Sequence, residues 1–138
     1  MTLIGRLHPL LLHFPIALVI VAAVAELVAT RTNRRLWHLV AVANIRMAAL
    51  FALVTGATGW ILASTSIVDD VRVLQWHRWI GTLAALATIA AALGARIDQP
   101  WSTQRSVYRV GLFGAAALVA ITGHLGARLV WGADFLRP

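Results

Sequence analysis

The chain contains no cysteine and no lysine, and only five of its 138 residues are acidic. Without cysteine there are no disulfides, no thiolate metal sites, no thiol catalysis and no Cys-x-x-Cys-His attachment of c-type haem. Without lysine, every fixed positive charge is an arginine. Charged residues make up 12% of the chain, where a soluble domain carries about a quarter. Also missing are a Gly-x-Ser-x-Gly elbow, a phosphate-cradling loop and a His-Glu-x-x-His pair. Those absences argue against a stand-alone enzyme.

What is present is apolar: 60% of the residues are hydrophobic. Four stretches account for the excess, each close to the roughly 20 residues that cross a hydrocarbon core about 30 Å thick. They run from about Pro9 to Ala29, Leu36 to Ala63, Trp76 to Ala95 and Ser106 to Trp131. A backbone in lipid must satisfy its own amides, so each is expected to be a helix. The short connections make successive helices antiparallel neighbours. The expected fold is therefore all-α, an integral membrane four-helix bundle with up-down topology, one domain over residues 1–138. No cleavable signal, internal repeat or low-complexity segment is evident. The net charge of +7 would suggest nucleic acid for a soluble protein. Here the arginines sit mainly at helix ends, where membrane anchoring accounts for them.

Four spans put both termini on one side, together with the polar connection Ser64–Gln75, which holds Asp69, Asp70 and Arg72. The opposite side carries Arg31, Arg34, Arg35, Arg96, Arg105 and Arg109. The dense Arg31/Arg34/Arg35 loop places that side in the cytoplasm. The termini then face the periplasm or cell exterior.

The histidines fall unevenly on this topology. His8, His13, His77 and His124 all lie toward the terminal side, and only His38 toward the other. By helical rise, His13 and His124 are roughly 10 and 8 Å from the midpoints of their helices, while His8 and His77 are roughly 15 Å out. Ionisable groups at membrane depth usually face the bundle interior, which makes function the default reading. Neutral imidazoles on facing helices suit an axial haem ligand set. His13 and His124 are the expected ligand pair of a haem b, with His77 and His8 serving a second haem or replacing one partner. Gly56, Gly59, Gly81, Gly123 and Gly126 would give a macrocycle room, and Arg6, Arg78 and Arg128 would meet its propionates. Trp60 could help wall the site. An interfacial belt is the better reading of Trp76, Trp79 and Trp131.

A second polar group, Glu26, Asn44 and Arg46 with His38, lies toward the arginine-rich side. A Glu26–Arg46 ion pair is its simplest account; a quinone or proton site is the alternative.

The stretch His8-Pro9-Leu10-Leu11-Leu12-His13-Phe14-Pro15-Ile16-Ala17-Leu18 resembles the opening of a bacterial four-helix membrane family labelled as a domain of unknown function. The likeness continues through Trp76–Gly81 and Gly123–Gly132 and so covers most of the chain. The resemblance implies a redox role, because relatives accompany c-type cytochrome modules in some bacteria. A periplasmic c-type cytochrome or other redox subunit would then be a separate partner, alongside lipid and a second copy of the chain.

The leading functional reading is a b-type haem protein passing electrons in a respiratory or redox chain. A second class is zinc or copper binding or transport by His8, His13, His77 and His124 with Asp69, Asp70 or Asp134. A third is a structural or assembly subunit of a membrane complex.

Overall fold

Two prolines shape how the chain enters its first long helix. In the computed structural model, which describes residues 3–65, 70–97 and 103–132, this segment is helical but interrupted. It comprises α1 Leu3–Arg6, α2 His8–Leu11 and α3 His13–Thr32. Pro9 lies in the first turn of α2, where its missing N–H is harmless. Pro15 has no hydrogen to give the Leu11 carbonyl and its ring crowds it. The helix accordingly breaks at Leu12, and the next bond, Ile16 N–H to the Leu12 carbonyl, is stretched to 3.4 Å. Asn33, in the left-handed conformation at φ 52°, ends α3, as an asparagine can.

The remaining helices are α4 Arg35–Thr65, α5 Val71–Gly94 and α6 Thr103–Trp131. At 31 residues, α4 extends about 46 Å, well beyond a hydrocarbon core. The connection expected through Gln75 is shorter than the sequence suggested, because the chain is already helical at Val71. The Asp70 carboxylate accepts the Val73 N–H at 3.0 Å and starts the helix one turn early. Asp69, Asp98, Pro100, Asp134 and Arg137 lie outside the described residues.

The long helices close into a ring: α3 packs on α4, α4 on α5, α5 on α6 and α6 back on α3. The fold is the all-α helical bundle that the hydropathy pattern predicts. His8–Thr32, Arg35–Ser64 and Gln104–Trp131 are long and apolar enough to cross a membrane. The 24-residue α5 matches them in length, but Gln75, His77, Arg78 and Thr82 make its first half polar. Alanine dominates the interior, with Ala22, Ala25, Ala29, Ala41, Ala48, Ala84, Ala91 and Ala115 buried around Val19, Ile45 and Leu112. Large apolar side chains point outward instead, among them Leu10, Leu50, Leu93 and Val110. Small residues inside and large ones outside are what lipid solvation permits, since helices then approach closely.

Burial also shows a repeat that the sequence alone did not. The register that carries His8 onto His77 carries Pro15 onto Ala84, Val19 onto Thr88, Ala22 onto Ala91 and Glu26 onto Ala95. Each of those last four pairs is buried at both positions. In the second helix of each hairpin, His38, Ala41, Ile45, Ala48 and Ala52 correspond to Arg105, Tyr108, Leu112, Ala115 and Val119, again all buried. The bundle is two like hairpins side by side, pointing the same way.

Candidate functional site

At the end of the bundle that holds the N-terminus, two imidazoles turn inward. His8 Nδ1 lies 3.0 Å from the Thr55 carbonyl on α4. His77 Nδ1 lies 3.1 Å from the Thr122 carbonyl on α6. A carbonyl only accepts, so each Nδ1 carries a hydrogen and donates it. In the neutral ring the other nitrogen, Nε2, then holds a lone pair, and a carbonyl on Nδ1 is the usual second partner of a metal-ligating histidine. The two rings lie edge to face, 6.5 Å between centres and 81° between planes. Both are half-buried. Each sits over a glycine, His8 over Gly59 and His77 over Gly126.

The other sequence-selected residues are distributed differently. His13 and His124, the expected ligand pair, are exposed on the outside of the bundle. His13 precedes the buried Pro15 by two residues, and His124 precedes Gly126 by two. Two residues turn a helix by about 200°, so both side chains face away from the interior that His8 and His77 share. Their depth was legible; their rotation was not. Arg78 lies over Trp60, its guanidinium carbon 4.0 Å from the ring centre. Trp60 also donates to the Thr82 hydroxyl at 3.1 Å and meets Trp79 edge to face. The Nε atoms of Arg78 and Arg128 and the Thr55 hydroxyl are buried without a hydrogen-bond partner. Arg128 stands two residues past Gly126, on the far side of α6 from His77. Trp76, Trp79 and Trp131 are exposed, as a belt requires. Gly81 faces Thr122 of α6, and Gly56 and Gly123 have open space beside them. Arg6 is exposed.

The opposite end is built around one carboxylate. Glu26 is fully buried. Its Oε2 lies 2.6 Å from His38 Nδ1, and its Oε1 accepts from Arg105 Nε at 3.1 Å and Arg109 Nε at 2.9 Å. The ion pair expected between Glu26 and Arg46 does not form. Arg46 is exposed and donates instead to the Ala95 carbonyl at 3.0 Å, where the end of α5 leaves acceptors open. Spacing along α3 located the buried acid, but its partners come mainly from α6, whose facing side only packing decides. His38 Nε2 meets the Arg96 carbonyl at 3.0 Å. The Arg96 carbonyl can only accept, so Nε2 donates to it. One carboxylate thus joins α3, α4 and α6, and His38 extends the network to the end of α5. Tyr108, its ring 6.0 Å from His38, buries a hydroxyl without a hydrogen-bond partner beside this cluster. Among the described residues, no three histidine, aspartate or glutamate side chains gather as a metal-ligand set.

Residues 6–135 match the family described as "Predicted membrane protein (DUF2231)", and the chain belongs to it. No curated protein and no solved structure matches the chain.

Proposed function

We propose that this member of the DUF2231 family is a b-type haem protein of the bacterial inner membrane, with His8 and His77 as the axial ligands and electron transfer as its role. The observation that carries the reading is the pair of inward imidazoles, each held by a carbonyl through Nδ1. Both therefore offer Nε2 in the form that binds iron. Their ring centres lie 6.5 Å apart, close enough for one group held between them to meet both.

Two histidines with no third ligand gathered to them among the described residues suit haem better than the tetrahedral zinc site of the metal-transport reading. Buried Nε atoms on Arg78 and Arg128 supply donors at the same end, and Arg78 is the nearer in sequence to a ligand. A bound haem supplies a one-electron couple. The chain's own contribution is to orient the two imidazoles through their Nδ1 hydrogens. A c-type cytochrome or another redox subunit meeting the tryptophan-rich end is the partner that this placement suits.

The test is the visible spectrum of full chain purified from haem-replete cells. Dithionite should give a sharp reduced alpha band and one haem per chain. His8→Ala and His77→Ala should each abolish it, whereas His13→Ala and His124→Ala should leave it in place. Protein carrying stoichiometric zinc or copper and no haem would overturn the reading in favour of a metal site.

A further inference from the structure

Both inward histidines use the same device, and the device occurs twice in the sequence. Thr55-Gly56-Ala57-Thr58-Gly59 on α4 and Thr122-Gly123-His124-Leu125-Gly126 on α6 share the pattern Thr-Gly-x-x-Gly. In each, the threonine carbonyl takes the Nδ1 hydrogen of a histidine, His8 of α2 for Thr55 and His77 of α5 for Thr122. In each, the second glycine lies under that histidine's ring.

The chemistry of a helix explains the spacing. Side chains lean toward the N-terminus, so the residue four places on covers the carbonyl of the turn before it. A glycine at that place uncovers the carbonyl, which then accepts a hydrogen from outside the helix. A Cβ on Gly59 would lie 2.8 Å from His8 Cε1 and 3.0 Å from its Nδ1. A Cβ on Gly126 would lie 3.1 Å from His77 Cε1 and 3.5 Å from its Nδ1. The same ring edge is met in both cases. The first glycines of the two motifs, Gly56 and Gly123, would meet nothing within 4 Å, so they are built-in controls.

We infer that the two motifs are duplicated half-sites, and that Gly59 and Gly126 are positioning residues that present the Nε2 of His8 and of His77 as an equivalent pair to one ligand between the hairpins. The other end of the bundle supports this by contrast. There the equivalent positions His38 and Arg105 both grip the Glu26 carboxylate, so the chain supplies its own central group. At the histidine end the two halves present lone pairs, which a group from outside the chain completes, by a hydrogen bond or as a metal. The inference names the positioning device behind the haem reading and rests on that reading only for the identity of the ligand.

The experiment separates the two. Full chain without added haem, labelled with ¹⁵N histidine, reports the tautomer of each ring by NMR. His8 and His77 should both carry hydrogen on Nδ1 and none on Nε2. Gly59→Ala should disturb the tautomer of His8 alone, and Gly126→Ala that of His77 alone. Either change should weaken binding of added haem at least ten-fold, while Gly56→Ala and Gly123→Ala should leave both tautomers unchanged. A wild-type Nε2–H tautomer at either ring overturns the inference, whether or not the alanine variants fold. So does a Gly59→Ala chain with unaltered His8. Intact tautomers in a chain that takes up no haem would leave the half-sites standing and remove the haem reading.

Discussion

Glu26 shows how much a single side chain can hold in this protein. It is fully buried, and two guanidinium groups and an imidazole close on it. Removing one member of such a set leaves the others buried and uncompensated, which costs about 3–5 kcal/mol. Glu26→Gln should lower stability by that order in reversible unfolding from detergent micelles. Arg46→Gln should cost no more than about 1 kcal/mol, since it removes one hydrogen bond from an exposed residue. A larger loss from Arg46 than from Glu26 would refute the assignment of partners. At this scale, sequence reading found the buried acid and the four histidines of the terminal end. It could not tell which histidines face inward, because a shift of two residues along a helix changes depth by about 3 Å but direction by about 200°.

Among the elements, the long helices were the most legible, because lipid leaves few alternatives to an apolar helix. Less so were their ends, where local chemistry rather than hydropathy decides: the Asp70 cap starts α5 early, and Pro15 interrupts the first span. The repeat was hidden because paired positions keep their burial but change their chemistry. Val19 answers Thr88, Glu26 answers Ala95 and His38 answers Arg105, and beyond matching Ala-Ala pairs only the Thr-Gly-x-x-Gly motif survives as a shared string. The packing of α1 gives a test at this scale. A Cβ on Gly5 would lie 3.2 Å from the backbone nitrogen and Cα of Leu62, so α1 rests directly on the end of α4. Gly5→Val should cost about 1–3 kcal/mol and raise amide exchange over residues 3–11. Exchange in α5 and α6 should not change. Uniform loss of protection would show that α1 is not a separable element.

For the molecule as a whole, the arrangement of spans is the claim most open to direct test, and the lack of cysteine makes the test clean. Each introduced cysteine is the only thiol in the chain. A membrane-impermeant maleimide should reach Ser64→Cys and Gln75→Cys from one face of sealed vesicles, and Asn33→Cys and Ile97→Cys from the other. The pair on α5 matters most, since that helix is the most polar of the four. Labelling of Gln75→Cys and Ile97→Cys from the same face would remove α5 from the membrane and part His8 from His77. The same topology gathers Glu26, His38, Arg105 and Arg109 at one end and the two inward imidazoles at the other.

The reach of Glu26 across the bundle also bears on how the chain is made. Arg105 and Arg109 lie on α6, which leaves the ribosome after the other long helices. Until it arrives, a hairpin of α3 and α4 holds a carboxylate with only His38 to meet it. Two arginines in the first turns of a membrane helix are costly to bury unpaired, and their shared carboxylate partner offsets part of that cost. Early and late helices therefore depend on each other for a stable place in the bilayer. A nascent chain cut short before Arg105 would be left as a ready substrate for the proteases that clear unfinished membrane proteins.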